Sequence, residues 1–283
     1  MNKKKTIGLV AVIALIAVAL IGTTLAYFTD TDNATNTMTV GNVKIKLIEE
    51  QREIDDETGQ PTPDGDLEEF EQDKVLMPIV GSAQGEKDSN GLPTAGNYVD
   101  KVITVENTGS SDALVRVYFA IPAVLDDGYD TFNAGKNVLH FNFGTEEDGT
   151  STDGVTWNWK HGNKWNYYET TLDGVKYNVY YANYMEILPA DETTTRAVNG
   201  VYLDKTFDAK TVDGEQVYYA FGSALEGIDD LIDDDGNLVV TCPVYALAVQ
   251  AAGFDVDDAD AAFDAAFGEK FDPFNGTGAT NWQ

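Results

Sequence analysis

Apolar and polar residues alternate with a period of two along much of this chain, the pattern of strands that bury one face. Val43, Ile45 and Leu47 alternate with Lys44 and Lys46. Ile103 and Val105 begin another strand, which the turn sequence Asn107-Thr108-Gly109-Ser110 closes. Val115, Val117, Phe119 and Ile121 alternate with Arg116, Tyr118 and Ala120 in the clearest strand of the sequence. Asp173-Gly174 lies between Leu172 and the run Val175, Tyr177, Val179, Tyr181, and Asp213-Gly214 precedes Gln216-Val217-Tyr218-Tyr219. Asp-Gly between β-prone runs signals a hairpin, because the two-residue turn needs positive φ at both central positions. Leu238 to Gln250 reads as one long central strand in which Pro243 requires a bulge or an edge position. A single helix is expected late, with Asp257 as N-cap, Phe263 and Phe267 one turn apart, and Gly268 as the stop. Short strands with one late helix predict an all-β fold, a jelly-roll-like β-sandwich with long loops.

Two stretches break the pattern. Glu49 to Lys74 is acidic and carries Gly59, Pro61, Pro63 and Gly65, and Gly81 to Asn97 is rich in Gly, Ser and Asn. Residues 49–97 therefore read as a loop-rich acidic insertion. Trp157, Trp159, Trp165, Tyr167 and Tyr168 then crowd the middle of the chain. Alternating aromatics on strands fill a core more often than they stack on a sugar, although an aromatic sugar-binding face is an alternative.

The first residues obey a different rule. Lys3-Lys4-Lys5 precedes an apolar run from Ile7 to Ile21, followed by Gly22-Thr23-Thr24-Leu25-Ala26. A basic start, about 15 apolar residues and small residues at the end make a secretory signal peptide. Residues 1–26 are expected to be removed by a cut between Ala26 and Tyr27, and 27–283 to form a single domain. That removal takes away three lysines and no carboxylate, carrying the formal charge from −30 to −33. So much negative charge argues against phosphate-backbone recognition and against docking on anionic lipid. The membrane is then met only through the signal peptide.

Composition narrows the chemistry further. The chain is 43% hydrophobic and 11% aromatic, enough to bury a core. One cysteine, Cys242, excludes an internal disulfide framework. His140 and His161 stand 21 residues apart, not one helical turn apart around a glutamate as a zincin requires. Asp233-Asp234-Asp235-Gly236 fails as an EF-hand, because Gly236 as sixth position would make Leu231 the first ligand and Cys242 the twelfth. A turn at Asp235-Gly236 is the expected reading. No cofactor or catalytic residue is expected, and calcium at most binds weakly to surface carboxylates. Leu92-Pro93-Thr94-Ala95-Gly96 is expected to be a Pro-Gly turn.

The junction sequence carries a resemblance. Leu25-Ala26-Tyr27-Phe28-Thr29-Asp30, followed by Asn36-Thr37-Met38-Thr39-Val40-Gly41-Asn42-Val43, resembles the TasA/camelysin family of exported Gram-positive proteins. Val102-Ile103-Thr104-Val105-Glu106-Asn107-Thr108-Gly109 with Ala113–Val117, and Tyr245–Ala251 through Ala262-Phe263 to Phe267, are similar to further parts of that family. The aromatic-rich residues from about 130 to 235 lie between these matches and read as a variable insertion. The resemblance implies a jelly-roll sandwich, cleavage by a SipW-type signal peptidase and assembly into extracellular biofilm-matrix fibres. It also implies a partner of the same kind: the freed N-terminal strand adds to the next copy in a head-to-tail homopolymer. Phe28, Ala34, Met38 and Val40 are the apolar positions of the candidate assembly strand, which is expected to remain mobile in a monomer. The alternatives are a camelysin-like surface metalloendopeptidase and an aromatic-faced surface adhesin.

Overall fold

A computed structural model describes residues 26–29, 37–40, 43–72, 74–126, 137–145, 150–162, 164–233 and 238–278. The chain runs through β1 (Ala26–Thr29), β2 (Thr37–Val40), β3 (Ile45–Arg52), β4 (Leu67–Glu69), β5 (Lys74–Leu76), β6 (Val99–Asn107) and β7 (Ala113–Pro122). It continues through β8 (Leu139–Phe143), the short β9 (Lys160–His161) and β10 (Lys164–Trp165), β11 (Tyr167–Leu172), β12 (Val175–Asn183) and β13 (Val198–Leu203). Then come β14 (Asp208–Val212), β15 (Glu215–Ala220), β16 (Ser223–Ala224), β17 (Leu238–Thr241), β18 (Val244–Gln250), the helix α1 (Ala259–Phe267), β19 (Phe271–Asp272) and β20 (Thr277–Gly278).

Two five-stranded sheets, ordered β11-β12-β7-β18-β2 and β4-β3-β6-β13-β8, face each other as a β-sandwich. The alternation sets which side chains meet. Ile45 and Leu47 of β3, Ile103 and Val105 of β6, and Val198 and Val201 of β13 pack against Val115, Val117, Phe119 and Ile121 of β7 and Ala246 and Ala248 of β18. Each large apolar side chain buried there contributes about 1.5–3 kcal/mol.

The intervening positions of β7 are buried as well, because the outer face of that sheet is also covered. Leu114, Tyr118 and Ala120, with Tyr168, Val179 and Leu247 from neighbouring strands, pack under Ala259, Ala262 and Phe263 of α1. Arg116 lies in the same layer, its guanidinium 4.4 Å from the Phe263 ring centre and 5.0 Å from that of Tyr181. Its Nε donates to Asn183 Oδ1 at 2.6 Å, and it pairs with Asp260 of α1. Asp272, 1% exposed, holds the segment after the helix by accepting from Tyr168 Oη at 2.8 Å and Thr170 Oγ1 at 2.6 Å.

Both Asp-Gly hairpins form, with φ of +49° and +91° at Asp173 and Gly174 and +53° and +92° at Asp213 and Gly214. Asp235-Gly236 lies outside the described residues. Four expectations need correction. The run from Leu238 to Gln250 is two strands, not one: β17 and β18 belong to different sheets, and Cys242-Pro243 carries the chain between them because proline cannot donate to a ladder. The expected cap at Asp257 does not form: the N-cap position of α1 is Asp258, whose side chain makes no capping bond. Asp255, not Asp257, accepts the Val256 N–H at the start of a 3-10 turn that leads into α1, and Gly268 ends the helix at φ +97°. The residues from about 130 to 235, read as a variable insertion, supply β8, β11, β12 and β13 to the two main sheets. Their aromatics fill the core, as their alternation on strands implied. Residues 49–97, finally, contain the end of β3 together with β4 and β5, and their loops are organised around one arginine.

That arginine is Arg52, the last residue of β3 and 1% exposed. Its Nε and Nη2 donate to the two carboxylate oxygens of Asp100, each at 2.7 Å. Nη1 donates to Asp88 at 2.9 Å and Nη2 also to the Pro93 carbonyl at 2.8 Å. Asp88 in turn accepts from the backbone N–H groups of Asp64, Asn90 and Leu92. Glycine, serine and asparagine alone would leave these loops unspecified; a buried charge making four hydrogen bonds specifies them.

Candidate assembly site at the N-terminal strands

The N-terminal strands occupy two places. β1 is the centre of a third sheet, ordered β17-β1-β5. It runs parallel to β17, with Ala26 opposite Leu238 and Phe28 opposite Val240, and antiparallel to β5, with Tyr27 opposite Val75. β2 is an edge strand of the first main sheet and runs parallel to β18, with Met38 opposite Leu247 and Val40 opposite Val249. Leu76, Leu238 and Val240 on the strands flanking β1 are at most 1% exposed. Their burial makes the slot apolar on its inner side.

The tail therefore accompanies one continuous stretch of chain, residues 238–249, across two sheets. Thr29 is opposite Thr241 and Thr37 opposite Ala246, so the tail uses eight residue steps where its guide uses five. Proline is absent from the tail, so no ladder donor is missing. The candidate residues are thus placed as follows: Ala26, Tyr27 and Phe28 in β1, and Met38 and Val40 in β2. Ala34 and residues 1–25 lie outside the described residues. The expectation of a free tail in the monomer is not what the structure displays, since both strands pair within their own chain. The physical reason is that β5, β17 and β18 offer ladder edges that the tail can satisfy locally.

The other candidates sit elsewhere. His140 is in β8, stacked on Tyr202 with ring centres 4.9 Å apart and Nε2 3.9 Å from Asp204. Burial pushes its pKa down, against the opposing charge of Asp204. His161 is exposed in β9. Among the described residues, no three His, Cys, Asp or Glu side chains come together as a metal-binding group. Trp157 and Trp159 are fully buried and Trp165 is half-buried against Phe143, so the aromatic cluster is packing. Cys242 is buried. Leu92-Pro93-Thr94-Ala95-Gly96 is tied down by the Arg52 bond to Pro93 and by paired backbone bonds between Val80 and Gly96.

Sequence reasoning missed Arg52, Arg116 and Asp272, three of the buried polar anchors. Arg116 between Val115 and Val117 and Asp272 between Phe271 and Pro273 carried a signal, a charge flanked by apolar residues, whereas Arg52 between Gln51 and Glu53 carried none; the partners lie 48, 144 and 104 residues away from Arg52, Arg116 and Asp272. Among the described residues, no helix is long and apolar enough to cross a membrane. No protein-family model, curated protein or solved structure matches the chain.

Proposed function

We propose that this chain is an exported, non-catalytic structural protein of the Gram-positive cell surface or matrix, which assembles head to tail by donating its N-terminal strand. The observation that carries the reading is the double pairing of the tail, as β1 between β17 and β5 and as β2 beside β18. A terminal segment held by main-chain ladders at two places leaves behind, when it withdraws, two edges of matching register. A second copy's tail satisfies them with the same bonds, and repetition without closure builds a filament. The basic, apolar leader ending at Ala26 supports export as the first step, with a SipW-type peptidase making the cut.

The test is a crosslink. Phe28 and Val240 are directly paired, and strands spaced about 4.8 Å apart fall within the Cα separation that a disulfide spans. Phe28→Cys and Val240→Cys are made on separate Cys242→Ser chains beginning at Tyr27, then mixed and oxidised under conditions that give fibres in negative stain. An interchain disulfide between the two variants is expected. Fibres without that disulfide refute the donor role, and a wild-type chain that stays monomeric under acid and salt refutes assembly itself.

A further inference from the structure

The β17-β1-β5 sheet ends at β5, and no further strand pairs with the outer side of β5 among the described residues. Val75 and Met77, on either side of buried Leu76, are 43% and 44% exposed. They border a cleft of about 320 Å³ whose other walls include Ile54, Pro61, Gln60 and Asn97. That volume is at the small end of the roughly 300–1,000 Å³ of ligand pockets, room for one or two side chains rather than a folded surface.

The two amides give the cleft polarity. Gln60 Oε1 accepts the Asn97 backbone N–H at 2.8 Å, and Asn97 Nδ2 donates to the Pro78 carbonyl at 2.9 Å. Each uses one end in this way. The Gln60 NH₂ and the Asn97 Oδ1 have no partner among the described residues. One spare donor and one spare acceptor match what a peptide group needs. The charges lining the cleft are already spent, Asp100 on Arg52 and Lys74 on Glu71. Its rim is not neutral. Asp55, Asp56 and Glu57 are exposed on the turn leading to Thr58 and Gly59, which line the cleft.

We propose that the β5 edge and this cleft form a docking site for an extended segment of a partner protein that carries lysine or arginine around a central apolar residue. The segment's main chain pairs along β5, its apolar residue enters between Val75, Met77 and Pro61, and its peptide group bonds Gln60 and Asn97. Its cations meet the acidic rim. Edge pairing supplies affinity and the cleft supplies specificity, as in strand addition generally. The charge of the partner follows from complementarity: a second copy, itself strongly acidic, is repelled here, and a basic segment is attracted. The surface differs from the N-terminal exchange slot, so the inference stands whether or not the chain polymerises.

The experiment uses the chain from Tyr27 and the labelled peptide acetyl-KKVLVKK-amide, with fluorescence anisotropy as readout. A protein this acidic attracts any cation, so location is the question. Met77→Arg is compared with Ile187→Arg, which adds the same charge at another exposed apolar residue, 40% exposed. Met77→Arg is expected to weaken binding at least about tenfold more than Ile187→Arg, as loss of a central apolar contact does. Asn97→Ala, which leaves the net charge alone, is expected to weaken it by about threefold or more, the loss of one hydrogen bond. Equal binding by the two arginine variants, equal binding of acetyl-EEVLVEE-amide, or no saturable binding to the wild type overturns the proposal. If Met77→Arg fails to fold, the Asn97→Ala result decides alone.

Discussion

Arg52→Ala removes the one group on which two long loops converge. The substitution deletes four side-chain hydrogen bonds, to Asp100 twice, Asp88 and the Pro93 carbonyl, all between 2.7 and 2.9 Å. It also leaves the carboxylates of Asp88 and Asp100, each about 1% exposed, without their countercharge. Burial alone lowers the guanidinium pKa, but Asp100 and Asp88 outweigh it and hold it above its ordinary value, so the arginine is charged throughout. Breaking a buried pair from one side costs about 3–5 kcal/mol, because an uncompensated charge stays behind. For a domain of this size that lowers Tm by roughly 6–20 °C. Arg52→Lys keeps the charge and loses the fork that reaches both oxygens of Asp100, and is expected to fall between the wild type and Arg52→Ala. Urea denaturation followed by tryptophan fluorescence measures all three, and limited proteolysis within residues 53–66 and 81–97 shows where the loss lies. A loss under about 1 kcal/mol for Arg52→Ala, the range of an exposed pair, refutes the view that this buried charge organises the loops.

Three further expectations follow from close contacts and buried charge. Gly144→Ala places a Cβ 1.7 Å from the Arg196 carbonyl oxygen, which is backbone and cannot step aside; a loss of at least about 3 kcal/mol, or failure to fold, is expected in thermal denaturation. Asp260→Ala is expected to cost about 3 kcal/mol, because it leaves the Arg116 guanidinium, whose side chain is 4% exposed, buried without its countercharge; a loss under about 1 kcal/mol in urea melts, the range of an exposed pair, contradicts the assignment of Arg116 as the anchor of α1. His140 has a folded pKa below its unfolded value, chiefly through burial, so its contribution to stability is present above about pH 6.5 and is lost as the pH falls, when the unfolded state binds the extra proton. His140→Phe should therefore flatten the decline in stability between pH 7 and pH 5, and an unchanged slope in paired denaturation curves would sink that explanation.

Local sequence determined a good deal of this protein. The period of two at Val115, Val117, Phe119 and Ile121, the positive-φ demand of Asp173-Gly174 and Asp213-Gly214, and the stop at Gly268 each act over a few residues. Each produced its strand, hairpin or helix end wherever the rest of the chain lay. The all-β sandwich with one late helix follows from such local choices taken together. What tertiary structure decided is where distant pieces meet. The alternation predicts one buried face for β7, but both faces are buried, because α1, about 140 residues later, lies over the second face. Apolar periodicity marks Leu238 to Gln250 as buried, but only the two sheets decide that Pro243 is the crossing between them. The acidic, glycine-rich residues from 49 to 97 carry no hydrophobic signal strong enough to order them. Arg52 orders them through partners 36 and 48 residues away. The N-terminal strands show the same division: their composition makes them able to pair, and only the register with β17, β5 and β18 says with what. Periodicity reports solvent on one side of an element, whereas hydrogen bonds and buried charges report a specific partner, and in this chain those partners are mostly far away in sequence.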